Sequence, residues 1–190
     1  MFDLISIQMW FHDSIIIERS SIFVSSYIND TYSRFLFSNL IYLNIFSKNN
    51  YITFFLNGGE KDGENQITRF NNLLTFYDLI QQSKKKIKTY TIGLAYDEIM
   101  VIGGIGDKGQ RFTLLTSHFG LSKPNFSFIN TQATDFLRIK SEIIRINFLK
   151  GKILKFQTSK NIDKILIDIE NDLLLNSFDA INYGIIDKIL

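Results

Sequence analysis

Six consecutive uncharged residues, Tyr51-Ile52-Thr53-Phe54-Phe55-Leu56, constrain this chain more than any other stretch. β-Branched and aromatic side chains dominate the run, so it reads as a strand buried on both faces, as inner strands of parallel sheets are. Such a strand needs helices beside it, and the flanking sequence supplies them. Upstream, Ser21 to Ser25 reads as a short strand. Asn29-Asp30-Thr31 then offers capping oxygens to a helix whose apolar face is Phe35, Leu36, Leu40, Leu43 and Ile45. Downstream, the polar loop NGGEKDGENQ leads into a helix over Ile67 to Ser83, closed by Lys84-Lys85-Lys86, whose cations suit the negative end of a helix dipole.

The alternation continues. Ile87 to Gly93 predicts a strand, Asp97 opens a short helix, GGIGDKGQ reads as a tight glycine turn, and strands follow around Arg111 to Leu115 and His118 to Leu121. A helical pattern from about 131 to 157 is the longest. It would span roughly 40 Å, more than a small domain needs, so it is expected to project or to line an assembly contact. Gly151 is its weakest point. The end, SFDAINYGIIDKIL, reads as a Ser-capped helix, a Gly184 C-cap and a last strand. Strands alternating with helices define an α/β layered domain.

With 190 residues, 45% of them hydrophobic, the chain suits one core: an N-terminal arm over 1–17 and a single domain over 18–190. A formal net charge of +2 predicts neither nucleic acid nor a membrane surface as partner, and the lysine run reads as a solvated face. The absence of cysteine excludes thiolate chemistry, and His12 and His118 form no ligand-like cluster, so no metal is expected. Gly103-Gly104-Ile105-Gly106 lacks the strand–GxGxxG–helix context of a nucleotide loop, and no cofactor is implied. The start, MFDLISIQMWF, is interrupted by Asp3 and Gln8 and fits neither a signal peptide nor a membrane span.

Three ordered stretches carry a family resemblance. Ile92-Gly93-Leu94-Ala95 is similar to the strand and turn before the nucleophilic serine of Clp protease proteolytic subunits. Gly106-Asp107-Lys108-Gly109-Gln110-Arg111-Phe112 is similar to the stretch that follows it, and Gln132-Ala133-Thr134-Asp135 to the start of the family's handle helix. Glu18-Arg19, Phe76-Tyr77-Asp78 and Ala180 to Asp187 add to this, so the resemblance covers about residues 15 to 190. It implies a crotonase-like spiral of ββα units with a long handle helix. It also implies stacked heptameric rings of Clp proteolytic subunits, docked by an AAA+ unfoldase that feeds in unfolded protein substrates.

In that family a serine, a histidine and an aspartate work together. The resemblance puts the serine position on Asp97, the histidine position on Ser122, just before Lys123-Pro124, and the aspartate position on Asp172. Only the last is retained. A carboxylate replaces the nucleophile and a hydroxyl the general base, so the standard mechanism is expected to be absent. The family's oxyanion donors fall on Glu98 and on the loop Asn57-Gly58-Gly59, which lacks the usual Ser-Pro. The chain therefore reads as a non-catalytic, ClpR-type subunit. Inactive paralogues of this type and a composition rich in Ile, Phe, Asn and Lys predict a plastid location.

Other readings compete with this one. Asp97, Glu98 and Asp172 could form a new carboxylate pair, but acids opening a helix are more simply explained by capping and dipole stabilisation of about 1 kcal/mol. A divergent but active peptidase using Asp97, Glu98, Ser122 and Asp172, and a crotonase-type acyl-CoA enzyme, are the enzymatic alternatives. The alternating Asn125-Phe126-Ser127-Phe128-Ile129 reads as an edge strand for pairing between subunits.

Overall fold

The computed structural model describes residues 20–25, 28–59, 66–123 and 133–190, with side chains from 69 and from 136 in the last two segments. The readings placed on 1–17, His12, loop residues 60–65, the 125–129 strand and Gln132 lie outside them.

Among the described residues, seven strands and six helices are interleaved along the chain. β1 (Ser21–Val24), β2 (Tyr51–Gly58), β3 (Lys86–Tyr96), β4 (Arg111–Thr113) and β7 (Lys188–Ile189) form a parallel sheet in that order. β5 (His118–Leu121) joins the far half of β3, and β6 (Leu173–Asn176) runs antiparallel to β5. The eleven-residue β3 thus changes partners along its length, from β4 at Thr89–Thr91 to β5 at Leu94–Tyr96. Gly93 makes the change, with φ +82°, a conformation that costs other residues energy. Asn57, at a register shift in β2, secures it by accepting the Leu94 N–H at 3.2 Å.

α1 (Asp30–Phe46) starts as expected, with Asn29 accepting the Tyr32 N–H at 2.7 Å, and buries Leu36, Leu40 and Leu43. Each such side chain contributes about 1.5–3 kcal/mol when fully buried. Ile45, expected on that face, is instead exposed, because at 3.6 residues per turn it falls about half a turn away from Leu36, Leu40 and Leu43. α2 (Gln66–Gln81) brings Phe76 onto Phe37 and, edge-on, onto Phe54. α3 (Glu98–Ile105), α4 (Ala133–Thr158), α5 (Ile162–Glu170) and α6 (Ser177–Tyr183) complete the order.

The prediction of two buried faces for β2 fails. Ile52, Phe54 and Leu56 are buried, Phe54 against Phe76 of α2 and Leu56 facing Gly103 of α3, whereas Tyr51, Thr53 and Phe55 are half-buried. The second face carries a ladder of rings, Phe23–Phe55–Tyr90–Phe112, each stacked on the next at 5.0–5.3 Å across in-register neighbours of four strands.

The glycine turn is also corrected. Gly103 and Gly104 are helical residues of α3, and Gly106 caps it. A Cβ on Gly104 would overlap Oε1 of Gln157, so the glycine lets α3 and α4 approach closely. α4 is unbroken at Gly151, where a Cβ would crowd Leu166 and Ile162 of α5. Its second half buries Ile146, Ile153 and Leu154, and its first half exposes Phe136, Leu137 and Ile144. The cap of α6 is Asn176, which accepts the Asp179 N–H. Ser177, the expected cap, donates to the carbonyls of Leu114 and Ser117.

Candidate active site

β3 ends in a sharp turn at Asp97, whose φ of 47° and ψ of −110° are foreign to most non-glycine residues and cost on the order of 1–3 kcal/mol. The surrounding sheet holds the turn. Asp97 N donates to the Gly120 carbonyl at 2.8 Å, and the Asp97 carbonyl accepts the Val101 N–H that starts α3. The loop after β2 lies against it, with Gly59 (φ +121°) so close to the Tyr96 carbonyl that any Cβ there would collide with it. Gly58 and Gly59, assigned to the oxyanion loop, therefore do lie beside the turn.

Asp97 does not cap α3, contrary to the capping explanation of its acid. Its carboxylate turns to the end of β5. Oδ1 accepts the Ser122 N–H at 2.8 Å and Oδ2 accepts the Ser122 hydroxyl at 2.6 Å, a two-point grip that joins residues twenty-five positions apart. Lys150 of α4 brings its ammonium to 3.3 Å from Oδ1, with both side chains 4% exposed. Asp172, after α5 and at φ 51°, stops one residue short. It accepts the Lys123 N–H at 3.0 Å, and the Lys123 ammonium lies at 3.4 Å. That backbone N–H, aided by the ammonium, holds the Asp172 carboxyl below its ordinary range. Asp97 and Ser122 thus meet directly, and Asp172 reaches the neighbour of Ser122.

Glu98, the first residue of α3, points inward at 4% exposure. Burial pushes its carboxyl pKa up. Lys150 and Arg69 pull against that, the Asp97 charge adds to it, and the side chain draws on its own backbone N–H. Among the described residues, one Glu98 oxygen (Oε2) and two Arg69 nitrogens (Nε and Nη1) are buried without a hydrogen-bond partner. No hydrogen bond joins Asp97 to Glu98 or Asp172 among the described residues, so no carboxylate dyad is assembled.

The sequence reading missed Lys150 and Arg69. A signal for Lys150 was present: it falls between Ile146 and Leu154 at four-residue spacing, a lysine on the buried stripe of a helix. His118, the nearest histidine in sequence to Ser122, is exposed in β5 opposite Leu94 and Asn176.

A strand-to-helix turn held in a strained conformation, beside a glycine loop and the end of the next strand, is a peptidase-type arrangement on an α/β spiral. The chain belongs to the Clp protease family, whose profile it matches over residues 9–190. It is 30% identical over 175 residues to the ATP-dependent Clp protease proteolytic subunit 1 of Thermobifida fusca, covering 91% of this chain and 75% of that protein. It is 32% identical over 171 residues to the ATP-dependent Clp protease proteolytic subunit of Borreliella afzelii, covering 89% and 82%. A solved peptidase structure from Plasmodium falciparum superimposes with a TM-score of 0.82 at 28% identity, covering 93% of this chain and 98% of that one.

Proposed function

We propose that this chain is a non-catalytic subunit of a Clp proteolytic core, occupying positions in a ring whose chemistry other subunits supply. The observation that carries the reading is the two-point bond between Asp97 and Ser122. Where the family places a nucleophile, this chain has a carboxylate, already satisfied by a serine and a buried ammonium. A carboxylate cannot attack as an activated alkoxide does, and no imidazole stands between it and the Ser122 hydroxyl to move a proton near neutral pH. The buried Lys150 and Glu98 side chains lie beside it, placing a carboxylate next to the donor assigned to an oxyanion, where added negative charge is unfavourable.

The exposed apolar half of α4 suits burial in a larger assembly of stacked heptameric rings, with an AAA+ unfoldase delivering unfolded proteins. The Ile-, Phe-, Asn- and Lys-rich composition supports a plastid as the location, which fractionation of the source cell tests.

One observation favours the active alternative: Ser122 is a hydroxyl hydrogen-bonded to a buried acid. Purifying the native complex, treating it with a fluorophosphonate probe for activated serines and mapping the label by mass spectrometry separates the two. Label on partner subunits and none on this chain supports the scaffold role. Label on Ser122 overturns it.

A further inference from the structure

At the end of the sheet where β2 and β3 begin, the chain has a hollow of about 390 Å³ lined by Lys48, Lys84, Lys85 and Lys86 together with Asn49 and Tyr51. Lys48, Lys84 and Lys86 are exposed. Among the described residues none of the four lysines forms an ion pair. Lys85 is committed to the wall of the hollow, donating to the carbonyls of Ser47 and Asn49. Lys88 extends the charge along β3 and sits 3.9 Å over the Tyr51 ring.

An ordinary explanation is helix-dipole compensation, since α1 ends at Phe46 and α2 at Gln81, both beside the hollow. Two helix C-termini contribute about half a negative charge each. Four ammonium groups exceed that, leaving a net cationic basin. Next to it, sharing Ser47, Lys48 and Asn49 as a common wall, a second hollow of about 240 Å³ is lined by Tyr42 and Phe46, both exposed rings.

We propose that the paired hollows bind an acidic, aromatic-containing segment of a protein partner, with carboxylates in the lysine basin and an apolar side chain packed on the Tyr42–Phe46 ring pair, whose centroids lie 4.9 Å apart. The lining chemistry selects this occupant. Flexible ammonium groups are point charges suited to separate carboxylates, whereas the bidentate forks preferred by phosphate are missing from this lining. The adjoining apolar hollow gives an amphipathic peptide a second anchor that a free anion lacks. This binding is independent of whether the chain is catalytic.

The test is fluorescence anisotropy on the full chain with a fluorescein-labelled peptide of eight glutamates and one phenylalanine. Single-stranded DNA of equal charge is the comparison probe. The peptide binds the wild type at low salt and weakens steeply between 50 and 300 mM salt. The triple variant Lys48→Glu, Lys84→Glu, Lys86→Glu loses binding at least tenfold, while a control that reverses Lys140, Lys155 and Lys164 does not. Phe46→Ala weakens the phenylalanine peptide and leaves an all-glutamate one unchanged. Equal loss in the triple variant and the control overturns the proposal, as does salt-insensitive binding by the wild type. Tighter binding of the DNA, lost in the same triple variant, also overturns it, in favour of nucleic acid.

Discussion

Two charge clusters lie at opposite ends of α3, and they are built to different standards. Around Arg111 the guanidinium grips Asp187 through Nε at 2.9 Å and Nη2 at 2.5 Å. Its Nη1 donates to the carbonyls of Gly184 and Gln157. Asp187 also accepts the N–H groups of Gly109 and Arg111, so each side-chain nitrogen of Arg111 and both carboxylate oxygens of Asp187 are matched. Around Asp97 the charges are more deeply buried, the Asp97 and Lys150 side chains at 4% exposure against 20% for Asp187, yet among the described residues Glu98 and Arg69 keep unpartnered atoms and a strained backbone persists. A satisfied network holds a fold together, whereas a partly satisfied one spends stability. The difference fits a structural role for the Arg111 cluster and, on the function proposed above, a remodelled site at Asp97.

The comparison breaks most readily at Asp187. Replacing it with alanine strands a buried guanidinium and is expected to cost about 3–5 kcal/mol, read as a lower urea midpoint at unchanged slope. Lys150→Met strands the Asp97 carboxylate, which Ser122 still holds. Its expected cost is about 3 kcal/mol, most of it recovered in the double variant Lys150→Met/Asp97→Ser. A double variant as unstable as the sum of its parts would show that the two charges are not coupled. Gly104→Ala strains Gln157, which bridges the clusters by accepting from Arg111 and donating to Val101. It should cost about 1–3 kcal/mol in the same denaturation assay.

The smallest effect is one of pH, and it has opposite signs in the two clusters. Glu98 has a raised carboxyl pKa in the fold, so its contribution is most favourable below its unfolded value of about 4.5 and is lost as pH rises through the folded value. Glu98→Gln should therefore melt higher than the wild type at pH 8, with the gain vanishing at pH 4. For Asp187, burial works to raise the carboxyl pKa, but the Arg111 bonds outweigh it and hold the group below its unfolded value of 3.8. Its stabilisation is present above that value and is lost as pH falls through the folded one. Thermal melts across the acid range test both.

The alternation of strands and helices was legible because runs such as Ile87 to Gly93 and the long α4 pattern declare themselves locally. β6 was not: four residues, Leu173–Asn176, become a strand only by pairing with β5, more than fifty residues earlier. The nine-residue α5 was missed for a similar reason, since so short a helix is stable only through packing, here of Ile165 and Ile169. At the site, Asp97, Ser122 and Asp172 were found through resemblance to ordered motifs. The bond between Asp97 and Ser122, the inward Lys150 and the unmatched Arg69 depend on how four elements pack. Gly103 and Gly104 misled because a glycine pair reads the same in a turn as at a close helix contact.

The parallel pairing of β4 with the two-residue β7 ties Phe112 to Lys188 and gives Arg111 its Asp187. During synthesis, which proceeds at roughly 5–20 residues per second, the first four strands emerge well before that partner exists. Until it does, β4 offers an open sheet edge, the kind of surface that pairs with other chains. Asp187 and β7 are thus what covers this edge of β4, and a nascent chain stalled before Asp187 would be the species most in need of a chaperone.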